Sequence, residues 1–287
     1  MSSKNVSRRA VIKSSALGLL AVSIPNIVFS KNSNSIASFF TTTESLSLNY
    51  PSIDNEIVST VVGASHFNLE KLKKLLNKRP ELSRATWDWG FGDWETAIGA
   101  ASHVGRRDIV SFLMSKGARP DVFTFAMLGE YETVKSIIQA QPSIPEILGP
   151  HGITLLQHAK NGLRSDDLTL KQQNNSKKLI DYLEELGNAD LKPKHKTLSV
   201  SDSEKYLGDY IYGDGELDGF SIKRNMQDNI CLGRLGSYGG SLYLKSNNKF
   251  SYNYMPSVEI SFTLEEDKVI SLTVNELDFT ITAKKTN

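Results

Sequence analysis

The chain has a single cysteine, Cys231, among its 287 residues. One thiol makes neither an intrachain disulfide nor a cysteine-based zinc site. Without a base nearby in sequence, Cys231 reads as a small hydrophobe in a strand. Charge of one sign is also scarce. Lys and Arg total 33 against 32 Asp and Glu, a net charge of +1. That balance excludes the basic footprint of a nucleic-acid binder or a polybasic membrane surface. The apolar run from Ala16 to Phe29 is interrupted by Ser23, Pro25 and Asn26, too short and broken to span a bilayer stably. Catalytic signatures are missing too. There is no G-x-S-x-G, no P-loop and no dinucleotide fingerprint. Ser246-Asn247-Asn248-Lys249 fits S-x-x-K by letter, but on an expected hairpin turn rather than at a helix N-terminus. These absences argue against an enzyme, and no cofactor is expected.

With 39% hydrophobic and 23% charged residues, the chain suffices for a normal globular core without a metal or disulfide staple. Residues 1–30 carry Lys4, Arg8, Arg9 and Lys13 and no acid, so the basic excess is N-terminal. A charged stretch followed by the Ala16–Phe29 run has signal-peptide form. Ser7-Arg8-Arg9-Ala10-Val11-Ile12-Lys13 resembles the twin-arginine (Tat) export motif, with Ser7, Arg8, Arg9 and Lys13 matching and Val11 and Ile12 in place of Phe and Leu. The resemblance implies a bacterial protein delivered folded to the periplasm by the Tat machinery. Membrane contact would come only through an uncleaved signal. Residues 31–52, rich in Ser, Thr and Asn, read as a disordered linker.

From residue 53 the pattern becomes helical. Ile57, Val58, Val61 and Val62 share a face, and Asn68 is placed to cap a helix with a Leu69, Leu72, Leu75, Leu76 stripe ended by Pro80. Thr96 to Asp121 reads as two short antiparallel helices. Ala97, Ala100 and Ala101 lie in the first, and Ile109, Val110, Leu113 and Met114 form the apolar face of the second; Gly105 turns the chain and Gly117 stops it. Thr96, Ile98, Ala101, Gly105, Asp108, Ile109, Val110, Leu113, Gly117 and Ala118 match the ankyrin repeat by position. Ala97 stands where Pro is usual, and Trp94 where Gly is usual. Weaker copies precede it from Ile57, and follow it around Ala126, Gly129 and Val134 and again from Gly152 to Asp190, where Gly187 reads as a helix stop. Residues 53–191 therefore resemble an ankyrin-repeat domain of about four repeats. No single helix pair here buries its face alone, so stacking is required for a core.

Residues 192–202 read as a linker. From Ser203 the apolar period falls to two. Eight candidate strands begin near Leu207, Phe220, Ile230, Ser241, Lys249, Glu259, Lys268 and Asp278, separated by turn chemistry such as Gly213-Asp214-Gly215. Short loops imply antiparallel neighbours, so residues 203–287 are expected to form a small antiparallel β-barrel or curved meander. Tyr206-Leu207-Gly208-Asp209-Tyr210 resembles the opening of the small lipocalin-like domain appended to β-lactamase-like serine hydrolases. The fold class is thus α + β in separate domains: an ankyrin-type α-solenoid followed by the β-domain.

Five histidines are scattered: His66, His103, His151, His158 and His195. His66 and His103 hold nearby positions in successive repeats, and stacking brings such positions within ~10 Å. A two-histidine metal site is one reading. Helix-end hydrogen bonding is the one carried forward, and no metal is expected. His151, at a loop tip, and His158, facing the inner groove, show no acidic partner at ligand spacing. Trp87, Trp89, Phe91 and Trp94 crowd the loop before Thr96, with Gly90 and Gly92 between them. Exposed aromatics there suit partner recognition; a loop folded back as a cap is the alternative. Arg119 and Asp121 sit at the next loop tip. Tyr210, Tyr212, Tyr238, Tyr243, Tyr252 and Tyr254 either line a ligand mouth or simply suit half-exposed strands. The expectation is a non-enzymatic exported binding protein that recognises a protein partner in the periplasm through Trp87, Trp89, Phe91, Trp94, Arg119 and Asp121. The alternatives are a small-ligand carrier acting through the β-domain, or an accessory subunit or inhibitor of an exported hydrolase.

Overall fold

The computed structural model describes residues 52–286, apart from Thr197, Met226, Gln227 and Asp278. The export motif with Arg8 and Arg9, and nearly all of the linker that follows it, lie outside the described residues. Contacts divide the chain into Met1–Ile53 and Asp54–Asn287, and the helices and strands all lie in the second unit among the described residues. Among the described residues no helix is long and apolar enough to cross a membrane.

The helical part is a series of consecutive, contacting helix pairs. Helices α1 (Asn55–Ala64) and α2 (Leu69–Leu76) form the first, α3 (Ala97–His103) and α4 (Arg107–Ser115) the second. Helices α5 (Val122–Leu128) and α6 (Tyr131–Ala140), then α7 (Leu155–Gly162) and α8 (Leu170–Leu186), complete it. The first helix of each pair starts on a side-chain cap: Asp54, Thr96, Asp121 and Thr154 each accept from a backbone N–H in the first turn. Each such cap is worth about 1 kcal/mol. These first helices pack successively, α1 on α3, α3 on α5 and α5 on α7. Small residues permit the approach, and every residue of α3 is buried. At the α5–α7 contact a Cβ on Gly162 would strike the Met127 carbonyl oxygen. The Arg107 guanidinium ties the ends together, donating to the carbonyls of Gly162, Leu128 and Met127 at 3.0, 3.1 and 2.9 Å. Asn68 caps α2 as the sequence predicts, accepting from the Lys71 amide at 3.0 Å.

A two-stranded hairpin, β1 (Thr86–Asp88) and β2 (Trp94–Thr96), joins the first pair to the second. The stretch expected as a loop between repeats pairs as a hairpin instead. Strands so short, with a Trp-Gly-Phe-Gly tip, carry no usable two-residue alternation.

The remaining strands close a barrel. β3 (Gly208–Ile211), β4 (Gly219–Arg224), β5 (Ile230–Arg234), β6 (Gly240–Ser246), β7 (Lys249–Tyr252), β8 (Val258–Glu265), β9 (Lys268–Glu276) and β10 (Phe279–Lys285) run antiparallel, with β10 closing on β3. A four-residue helix, α9 (Val200–Ser203), precedes them. All eight candidate runs fall on these strands. Alternation explains the inside: Val258, Ile260 and Phe262 of β8 point inward, as do Leu272 and Val274 of β9. Tyr206, Tyr210, Phe250, Tyr252 and Phe262 fill the interior. The Tyr210 hydroxyl is satisfied there, donating to the Tyr206 carbonyl at 2.6 Å.

The hairpin tip meets the barrel. Phe91 packs against the barrel core with its ring 4.9 Å from that of Tyr252, edge to face. Asp93, 1% exposed, accepts from Asn253 Nδ2 at 2.7 Å. Helices and barrel thus meet through a hydrogen bond and an apolar contact inside a single compact unit.

Candidate metal centre

Four side chains converge where the hairpin crosses the ends of α1 and α3. His66 follows the end of α1, and His103 is the last residue of α3. Because α1 and α3 pack side by side, equivalent positions on the two helices become neighbours. The two rings lie 4.9 Å apart between centroids, closer than the ~10 Å that repeat spacing alone suggests. Glu95 is the inward residue of β2, its side chain fully buried. His151 comes from the short 3-10 turn Pro150–Gly152 that leads towards α7.

The ligating atoms of His66, Glu95, His103 and His151 all lie within 4.8 Å of one another. Glu95 Oε1 is 3.0 Å from His103 Nε2 and 3.4 Å from His151 Nε2. Glu95 Oε2 is 3.5 Å from His66 Nε2. Despite that proximity, Glu95 Oε1 and His103 Nε2 are both buried without a properly directed hydrogen bond. A buried polar atom left so costs about 1–3 kcal/mol, which a cation held by both would remove.

The outer atoms of the cluster are held in place. His66 Nδ1 lies 3.1 Å from the Gly63 carbonyl. His151 Nδ1 lies 2.7 Å from Asp93 Oδ2, and the His151 amide donates to Asp93 Oδ1 at 3.0 Å. The Trp89 indole donates to Glu95 Oε2 at 2.7 Å. Partners on the far nitrogen fix the tautomer that presents Nε2 inward, the usual support of a metal-bound imidazole. His151 is also strained, with φ 59° and ψ 19° in the left-handed region. A non-glycine residue there costs about 1–3 kcal/mol, and Asp93 holds it at both ends.

Electrostatics match. Burial pushes the Glu95 carboxyl up, but the facing imidazoles of His103 and His151 outweigh it and hold Glu95 well below the usual carboxylate range. Burial pushes His151 down, yet hydrogen bonds and charge from Asp93 and Glu95 raise it to about 10. Burial dominates at His66 and lowers it. At neutral pH the metal-free cluster therefore holds an imidazolium at His151 between two carboxylates. A cation entering the cluster replaces that proton.

The expectation that His151 lacks an acidic partner is corrected: Asp93 and Glu95 both face it. Helix-end hydrogen bonding describes His66 Nδ1 but not His103 Nε2, which faces Glu95. His158 stays apart, fully buried, with Nδ1 on the Thr154 carbonyl at 2.9 Å. His195 is exposed, near Tyr243 and Tyr254.

The aromatic residues singled out before Thr96 diverge. Trp94 is 62% exposed, Trp89 is 37% exposed beside His66, Trp87 is half-buried on β1, and Phe91 is turned into the barrel. Asp121 serves as the cap of α5, and Arg119 is exposed. Of these six residues Trp89 joins the histidine cluster, through its bond to Glu95 and its edge contact with His66. Of the tyrosines, Tyr210 and Tyr252 are interior, while Tyr243 and Tyr254 stack at 4.0 Å.

Sequence reading missed Asp93, Glu95 and Asn253. One signal was present: Asp93 and Glu95 are two apart, the spacing that aims both side chains at one face of an extended segment. Comparison of the chain with protein-family models and with curated protein sequences gave no match.

Proposed function

We propose that the chain is a metal-binding protein that takes one divalent transition-metal ion at His66, Glu95, His103 and His151. The observation that carries this is the convergence of three imidazole nitrogens and one carboxylate oxygen within 4.8 Å, with the innermost pair buried and unsatisfied. Three imidazoles with one carboxylate suit Zn²⁺ and its neighbours Co²⁺ and Ni²⁺; hard oxygen-preferring ions such as Ca²⁺ and Mg²⁺ are poor matches. Cys231 lies in the barrel, bonded to the Lys223 carbonyl, and takes no part.

The helix pairs are read as ankyrin-type repeats, in which the hairpin β1–β2 takes the place of the loop between repeats. In this reading they are the scaffold that sets His66 beside His103. Export by the twin-arginine route agrees with such a protein, because a Tat substrate crosses already folded and so able to carry its metal.

Isothermal titration of the full chain, freed of metal by chelation, with Zn²⁺ tests the reading. The expected result is one site per chain, lost in His103→Ala and in Glu95→Gln. Absence of binding by the folded wild type would overturn it.

Protein recognition is a second reading, favoured by the exposure of Trp94 at 62% and Phe67 at 71%. Capture from periplasmic extract with wild type and Trp94→Ala separates the two readings. Loss of one partner with Trp94→Ala and intact Zn²⁺ binding would support both.

A further inference from the structure

The three histidines form a box. His66 and His151 are near-parallel walls, 22° apart in plane with centroids separated by 6.5 Å. His103 stands edge-on to both, at 75° and 4.9 Å from His66 and at 86° and 5.1 Å from His151. Glu95 contacts all three through its two oxygens. Exposure is graded across this box. The side chains of Glu95 and His103 are 0% and 10% exposed, whereas those of His66 and His151 are 19% and 26% exposed. The solvent-facing side of the cluster is therefore that of His66 and His151, and Glu95 and His103 form its buried side.

The carboxylate is constrained as well. The Trp89 indole occupies Glu95 Oε2 at 2.7 Å, which leaves Oε1, the buried unsatisfied atom, as the coordinating oxygen. Monodentate Glu95 with three imidazoles gives four protein ligands. Zn²⁺ expands from four to five coordination readily, and Co²⁺ does the same. The ligands also undercharge the ion. Three neutral imidazoles and one carboxylate leave a divalent cation with one positive charge, which favours an anion in the next position.

Resting on the metal-binding reading above, we propose that the bound ion takes an additional, exogenous ligand from the solvent side between His66 and His151, and that this ligand is a small oxygen-donor anion such as a carboxylate. The centre is then a ligand-binding site rather than a sealed structural staple.

The test is visible absorption of the full chain loaded with Co²⁺, titrated with azide and then with acetate. Four-coordinate Co²⁺ has intense d–d bands that weaken and shift when a fifth ligand binds. The expected result is a saturable loss of band intensity with each anion, acetate competing with azide. Intense bands that do not respond to either anion would show a bound but closed metal, overturning this inference and leaving the metal-binding reading intact. A spectrum that stays that of free aqueous Co²⁺ would overturn both.

Discussion

Asp93 Oδ2 accepts a hydrogen bond from Asn253 Nδ2 at 2.7 Å, across 160 positions of sequence. The same oxygen faces His151 Nδ1 at 2.7 Å. One buried carboxylate thus orients a candidate metal ligand and anchors the barrel. Asn253 completes the link, since its Oδ1 accepts from the Ser241 amide at 2.7 Å in β6.

Replacing Asp93 tests that orienting role. Asp93→Asn keeps the size of the side chain but removes the charge that holds the His151 ring. Loss of such an outer partner weakens metal binding about 10–100-fold. Competition of Zn²⁺ against a chromogenic chelator reads the affinity directly. An unchanged affinity would mean that His151 is oriented by something other than Asp93.

Trp89 gives the centre an optical reporter. Its indole bonds Glu95 and its ring lies 6.2 Å from that of His66, edge to face. Addition of Co²⁺ or Ni²⁺ is expected to quench tryptophan emission in wild type. In Trp89→Phe, Trp87 and Trp94 remain, and the quenching is expected to shrink by more than half. Equal quenching in both proteins would place the ion elsewhere.

His158 predicts an acid-side loss of stability. Burial lowers this imidazole from its ordinary value to about 4. In the unfolded chain it titrates near 6.5. Above that pH both states are neutral and the residue contributes no pH dependence. As pH falls from about 6.5 towards about 4, the unfolded state binds a proton that the folded state does not, so stability drops. The full shift corresponds to at most about 3 kcal/mol. Urea unfolding at a series of pH values should show the decline in wild type and a flatter curve in His158→Gln. A parallel decline in both would assign the acid sensitivity to other groups.

Gly162 marks the tightest helix crossing. Gly162→Ala places a methyl against the Met127 carbonyl, and backbone on both sides must shift. Overpacking of this kind costs about 3 kcal/mol. Thermal unfolding should show a clear drop in Tm, whereas Gly236→Ala, at an open position with φ +78°, should cost about 1 kcal/mol from backbone strain alone. Equal costs would contradict the close α5–α7 packing.

Much of the fold was legible in the sequence because period reports local structure. The eight β-runs were found because one side of each strand faces a packed interior, which imposes alternation. Asn68 announced a helix start through capping chemistry. The site was legible only in part. His66 and His103 were paired through their equivalent repeat positions, a local argument. His151 and Glu95 were not, because their approach depends on a hairpin and a 3-10 turn that carry no periodicity. Phe91 looked like a surface aromatic until the barrel was placed over it. Long-range contacts of that kind, such as Asp93 with Asn253, leave no trace in sequence spacing.

The central claim is coordination by three histidines and a carboxylate. X-ray absorption at the zinc edge of the Zn²⁺-loaded full chain measures it. The account predicts a first shell of nitrogen and oxygen at about 2.0–2.2 Å, with outer-ring scattering from three imidazoles. A shell without imidazole scattering would contradict it.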